Sequence, residues 1–287
     1  MTSWQTTIGQ LSMVGGERQP RAANARAVEP ALASRWERRK GNLYILVELQ
    51  DKPPARQHLY RHLLNIIQRV YYESPSSVTA ALQQAIGEAH GLLREAGVTG
   101  GVSCVVLRND DIYIAQAGPA LVILVHPDVV EQLPASTEGY EVPLGGSIRP
   151  EVGLFHTSAE RTSTIVLAQS DWLSHVEPRT LAGAATAPTV AGVVDILQDL
   201  AGSVELSALV VGLSVPGEAP AGEEEVAWVE ELEETPVYYG GVEREWEAPP
   251  AERKEPAPAV GELAREAGRG LVAATARLAE GAKTLGE

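Results

Sequence analysis

The sequence predicts an α+β fold with antiparallel strands, on three observations. Two amphipathic helical patterns follow one another directly; three short apolar runs then sit on tight turns; and a strand, a helix and a last strand complete the body. Crossover connections long enough to make the three central strands parallel are absent from their spacing.

Taken in order, Leu43–Leu49 is a nearly continuous apolar run of strand length behind Gly41-Asn42, and is expected to be a buried strand. The first helical pattern puts Leu59, Leu63, Ile66, Ile67 and Val70 on one stripe. The second does so with Val78, Leu82, Ala85, Ile86, Ala89, Leu92, Leu93 and Ala96, and Ser77 is its expected N-cap. Val102–Leu107 and Ile112–Ala117 flank the polar turn Arg108-Asn109-Asp110-Asp111, as in a hairpin. Leu121–Val125 follows Gly118-Pro119, and the three runs together read as one antiparallel meander.

The stretch 134–162 looks loop-like. Beyond it, Thr164–Ala168 reads as a strand and Pro188–Ala201 as a helix, with Pro188 in the first turn and Gly202 ending it. Ala208–Val215 closes the body as a final strand.

Composition bounds the function. With 287 residues, 44% of them hydrophobic, the chain can build at least one core of ordinary size, and its single Phe leaves that core to Val, Leu, Ile and Ala. Net charge is -15, and residues 217–258 concentrate it with 13 acidic and 3 basic side chains. Residues 1–216 hold 21 acidic against 16 basic groups, so no positive face for nucleic acid is expected. The only cysteine, Cys104, lies in an apolar run and is expected to be a buried thiol, not a nucleophile. No apolar stretch has the ~18 residues of a membrane span and the first 30 residues lack a signal-peptide core, so a cytoplasmic protein is expected.

Three regions follow: a globular body at 1–216, an acidic linker at 217–258 expected to be disordered, and an amphipathic helix at 259–287. Trp228, Tyr238, Tyr239 and Trp246 punctuate the linker as exposed aromatics or as a short recognition segment. In the last region Val260, Ala267, Ala274 and Gly281 recur seven apart, as do Ala264, Leu271, Leu278 and Leu285. Docking on the body or self-association through 259–287 would bury that stripe.

Degenerate motifs occur in a telling order. Arg21 precedes Asn24-Ala25-Arg26; a strand runs into Glu48-Leu49-Gln50; Gly101-Val102-Ser103 opens one strand and Gly118-Pro119-Ala120-Leu121 another. Further on, Ile165–Ala168 leads to Gln169-Ser170-Asp171-Trp172, and Glu205-Leu206 precedes the last strand. In this order the chain resembles the metal-dependent serine/threonine protein phosphatases of type 2C (PPM). The family places an Arg before Asn-Glu-Asp, then Asp-Gly, Gly-Thr-Thr, Gly-Asp-Ser-Arg, Ser-Asp-Gly and Asp-Asn. The resemblance implies a four-layer α-β-β-α sandwich of two antiparallel sheets flanked by helices. It also implies a site where carboxylates and waters hold two Mn or Mg ions that activate a water, while an Arg clamps the phosphate.

Carried over, the metal positions fall on Glu48, Asp171 and Glu205 as vestigial candidates, and the phosphate clamp falls on Arg21. The pattern is damaged. Both acids of the triplet are missing, Arg26 brings a cation there, Leu49 and Trp172 replace glycines, and Glu48 and Glu205 are longer than aspartate by a methylene, ~1.5 Å. The reading is therefore a catalytically impaired domain, a pseudophosphatase without a metal cofactor, serving as a binding or regulatory module for a protein partner such as a phosphoprotein. The alternative is a working Mn- or Mg-dependent phosphoserine/phosphothreonine phosphatase. His58 and His62, at i and i+4, share a face with Asn65 and Arg69 and read as a solvated face, and Ser170-Asp171 without a placed His is no catalytic triad.

Overall fold

The computed structural model describes residues 4–30, 39–50, 53, 55–127, 129–135, 142–160 and 163–215; the acidic segment 217–258 and the heptad segment 259–287 lie outside the described residues. Eleven strands and five helices are described. They are β1 (Gln5–Val14), β2 (Glu17–Arg18), β3 (Ala25–Val28), β4 (Asn42–Leu49), α1 (Arg56–Glu73), α2 (Val78–Ala96), β5 (Gly100–Arg108) and β6 (Asp111–Ala117). Then come β7 (Leu121–Val125), β8 (Val130–Leu133), β9 (Gly153–Ser158), β10 (Thr164–Ala168), α3 (Trp172–His175), α4 (Pro178–Ala185), α5 (Val190–Ala201) and β11 (Ser207–Ser214).

The strands form two sheets, ordered β2-β1-β11-β10-β7-β8 and β3-β4-β5-β6-β9, and every described pairing between them is antiparallel. Strand β4 shows how the layers arise. Leu43, Ile45, Val47 and Leu49 pack with the apolar stripes of α1 and α2, while Tyr44 and Leu46 pack with Ile165, Leu167, Leu209 and Val211 of the opposite sheet. Both faces of β4 are thus covered, which is why its sequence runs apolar without alternation. A third cluster joins Val166, Val210 and Leu11 to Trp172, Leu181, Val193 and Leu197 beneath α3, α4 and α5. The result is helix, sheet, sheet, helix, the four-layer sandwich that the motif order implied.

Helix α2 starts at the expected cap, where the Ser77 side chain accepts from the Ala80 N–H, and ends at Gly97 in the left-handed region (φ 65°). Helix α5 is capped by Thr189, so Pro188 stands before the cap and not in the first turn as expected; a threonine hydroxyl that bonds the Gly192 N–H is the stronger start signal. The meander expected from three successive runs is also corrected. β5 and β6 pair as a hairpin, but β7 pairs β10 in the other sheet. The chain changes sheets at Gly118-Pro119, where Gly118 has φ 67° and a Cβ on Gly101 would overlap the Pro119 carbonyl. That contact lets backbone replace side chain at the crossing. The loop-like stretch 134–162 contains β9, an edge strand on β6.

Candidate functional site

The inward face of β4 that carries Tyr44 and Leu46 continues, two residues on, to Glu48, because strand side chains alternate. That geometry places a carboxyl group at the end of the inter-sheet core, only 3% exposed. Across the gap β10 ends and the chain turns into α3. The Ser170 backbone N–H donates to Glu48 Oε2 at 2.5 Å, and the Ser170 hydroxyl donates to Oε1 at 2.6 Å. Both oxygens of Glu48 are therefore engaged by one residue of the opposite sheet. Burial pushes the Glu48 carboxyl up to about 7; the two Ser170 bonds pull the other way, and the Asp171 carboxylate adds a smaller upward push.

Glu205 sits just ahead of β11, half-buried, and its Oε2 lies 3.3 Å from the guanidinium of Arg56 in the first turn of α1. Tyr60 lies one turn along the same helix; burial raises its hydroxyl pKa, Arg56 opposes the rise, and the charges of Glu48 and Glu205 add to it. A cationic side chain of the protein thus stands beside Glu205.

Beneath these groups runs a buried polar network that ties the two sheets. Asn24 Nδ2 donates to the Val47 carbonyl at 2.9 Å and to Ser207 Oγ at 2.8 Å, while the Val47 N–H donates to the Asn24 carbonyl. Ser207 in turn donates through its N–H and hydroxyl to Gln169 Oε1, and its carbonyl accepts from Trp172 Nε1 at 3.1 Å. Trp172, at the motif position where the family has a glycine, is fully buried. Gly101 lies across the ladder from Glu48, and a Cβ on Gly100 would overlap the Glu48 carbonyl, so the two glycines let β5 lie close against the end of β4.

Of the residues singled out in sequence, Glu48 and Asp171 come within electrostatic reach of each other. Asp171 is exposed at the start of α3, and its side chain caps no N–H there. Arg21 is exposed in the bend between β2 and β3, beside buried Ala22. Arg26 points elsewhere than the motif order suggested: it donates to Asn65 Oδ1 at 2.7 Å and Gln68 Oε1 at 3.0 Å on α1, opposite Ile45 in the ladder. His58 and His62 are exposed, their rings 6.3 Å apart. Sequence reasoning missed Arg56, Tyr60 and Ser207. Only Ser170, adjacent to Asp171 in the best-matching segment, carried a signal that could have been read.

A pair of hard dications needs several oxygen ligands on each ion, in near-ideal geometry. Here both Glu48 oxygens accept from Ser170, Glu205 faces a guanidinium, and among the described residues no group of three or more His, Cys, Asp or Glu side chains is arranged around a common point. As placed, this donor set does not fit a two-metal site.

No protein-family model matches the chain, and no curated protein matches it. Solved structures do match. PppA, described as a key regulatory component of T6SS in Pseudomonas aeruginosa, superposes with TM-score 0.57 at 14% identity over 74% of this chain and 99% of its own. The catalytic domain of the serine/threonine protein phosphatase PstP, in complex with 2 manganese ions, gives 0.53 at 14% over 74% and 100%. RsbX in complex with magnesium gives 0.51 at 13% over 74% and 96%. The chain therefore has the fold of the PPM-type serine/threonine phosphatases. At these identities the likeness establishes architecture, and function rests on the site. Among the described residues no helix is long and apolar enough to cross a membrane.

Proposed function

We propose that the body is a pseudophosphatase: a PPM-type fold used as a cytoplasmic binding or regulatory module in signalling, with a protein partner, phosphorylated or not, in place of a substrate. One observation carries the reading. Two of the three acids that the motif order assigns to metal positions are engaged by the protein itself, Glu48 by the N–H and hydroxyl of Ser170 and Glu205 by Arg56. Arg56 supplies positive charge beside Glu205, and a guanidinium cannot lower the pKa of a bound water as a dication does.

The second reading, a working Mn- or Mg-dependent phosphatase, draws on the gathering of Glu48, Asp171 and Glu205 toward one end of the sandwich. Metal-dependent release of phosphate from a phosphoserine peptide separates the two. The pseudophosphatase reading expects no release above background with manganese or magnesium; turnover that requires metal and disappears in Asp171→Ala would establish the enzyme instead.

A further inference from the structure

At the opposite end of β4 from Glu48, positive charge gathers in a chain whose net charge is -15. A cavity of about 240 Å³ is lined by Arg39, Lys40, Pro75, Ser76, Ser77, Val78 and Arg108. Its walls come from the residues before β4, the α1–α2 turn and the end of β5. β4 rises ~3.3 Å per residue, which puts this cavity roughly 20 Å from Glu48.

Lys40 forms the floor. It is only 5% exposed, its Nζ donates to the Ser76 carbonyl at 2.9 Å, and it lies 5.3 Å from the centre of the Tyr71 ring. Burial lowers its pKa, and the nearby Arg108 lowers it further, which places a second cation close to the first. The acids nearest in sequence are engaged elsewhere: Asp111, directly across the ladder from Arg108, bonds His156 Nε2 at 2.8 Å, and Asp110 accepts from Trp4 Nε1 at 3.1 Å. Among the described residues no acid forms an ion pair with Arg39 or Arg108. The first turn of α2 opens at the same cavity, where the N–H groups of Val78 and Thr79 have no intrahelical acceptor.

We propose that this cavity is an anion site that takes a phosphate group, either free or carried on a phosphorylated side chain. Three cations around one opening balance a doubly charged oxyanion better than a single carboxylate, and Arg39 and Arg108 supply N–H forks suited to its oxygens. Such a site would hold a phosphorylated partner without any hydrolytic machinery, since it lies far from Glu48 and Asp171. It does not depend on whether the other end of the sandwich is catalytic.

Calorimetric titration of the full chain with inorganic phosphate tests it, followed by a short phosphoserine peptide and its unphosphorylated counterpart. Saturable phosphate binding is expected, weakened at least ~10-fold in Arg108→Gln and in Arg39→Gln and unchanged in Arg56→Gln, which alters the other end. Tighter binding of the phosphopeptide than of free phosphate assigns the site to a phosphorylated side chain; equal binding assigns it to free phosphate. Arg39 is exposed and Arg108 only partly buried, so both variants should fold; if Arg108→Gln does not, the Arg39→Gln titration and the rise in wild-type melting temperature with phosphate decide alone. No saturable binding, equal affinity in the arginine variants, or equal affinity for the unphosphorylated peptide would overturn the proposal.

Discussion

Glu48 and Ser170 stand 122 positions apart in the chain, yet the hydroxyl and N–H of Ser170 grip both oxygens of the Glu48 carboxyl at 2.6 and 2.5 Å. The pair closes one end of the inter-sheet core and occupies the hydrogen-bonding capacity that Glu48 turns toward the opposite sheet. Its consequences can be measured.

The first concerns pH. Burial raises the Glu48 carboxyl from 4.5 to about 7, so between those values the folded chain binds more protons than the unfolded one. Stability then falls as pH climbs through that window and levels off above it, by roughly 3 kcal/mol at most. Urea midpoints at about pH 5 and about pH 8 should differ in this sense for the wild type and much less for Glu48→Gln. A wild-type midpoint that rises with pH across this range would show that other groups dominate.

A second concerns Trp172. Glycine there would restore the family's motif in letters, but Trp172 is fully buried and bonded to the Ser207 carbonyl. Trp172→Gly should cost about 4 kcal/mol and confer no metal-dependent activity. Denaturant melts, with a phosphatase assay on the surviving folded fraction, check both halves.

Gly101 and Gly87 make a contrasting pair. A Cβ on Gly101 would overlap the Pro119 carbonyl where the chain changes sheets, whereas one on Gly87, inside α2, meets open space. Gly101→Ala should destabilise by ~3 kcal/mol or more, and Gly87→Ala should stabilise by up to ~1 kcal/mol. Thermal melts of the two variants should move in opposite directions.

The buried amide of Asn24 links β4 to Ser207 of the other sheet. Asn24→Ala leaves the Val47 carbonyl without that donor and should cost about 1–3 kcal/mol, with Asn24→Asp no better because the donor is still missing. Equal stability of the alanine variant would show that the network matters little.

Cys104 completes the set. Burial pushes its thiol up to about 12. A disulfide reagent should leave it untouched in the folded chain and label it only on unfolding.

The sequence made the helical layers and inner strands legible wherever burial was one-sided or complete. The stripe from Leu59 to Val70 and the run Leu43–Leu49 were read directly, because their patterns come from the faces they cover. Strand β1, Gln5–Val14, was missed since it mixes Thr, Gln, Gly and Ser with its apolar positions and is only partly buried over most of its length. β9 escaped because it is an edge strand with exposed Gly153 and Leu154. The transfer of β7 to the other sheet depends on a close backbone approach at Gly101 and Pro119, which no local pattern records. At the site, motif order located Glu48, Asp171 and Glu205, but Arg56, which pairs with Glu205, comes from a helix face without any motif.

Ser170 holds Glu48 and Arg56 holds Glu205, and calorimetric titration of the full chain with manganese tests most directly whether these contacts take the place of metal. No saturable heat is expected at millimolar manganese. Saturation at two ions per chain, lost in Asp171→Ala, would contradict it.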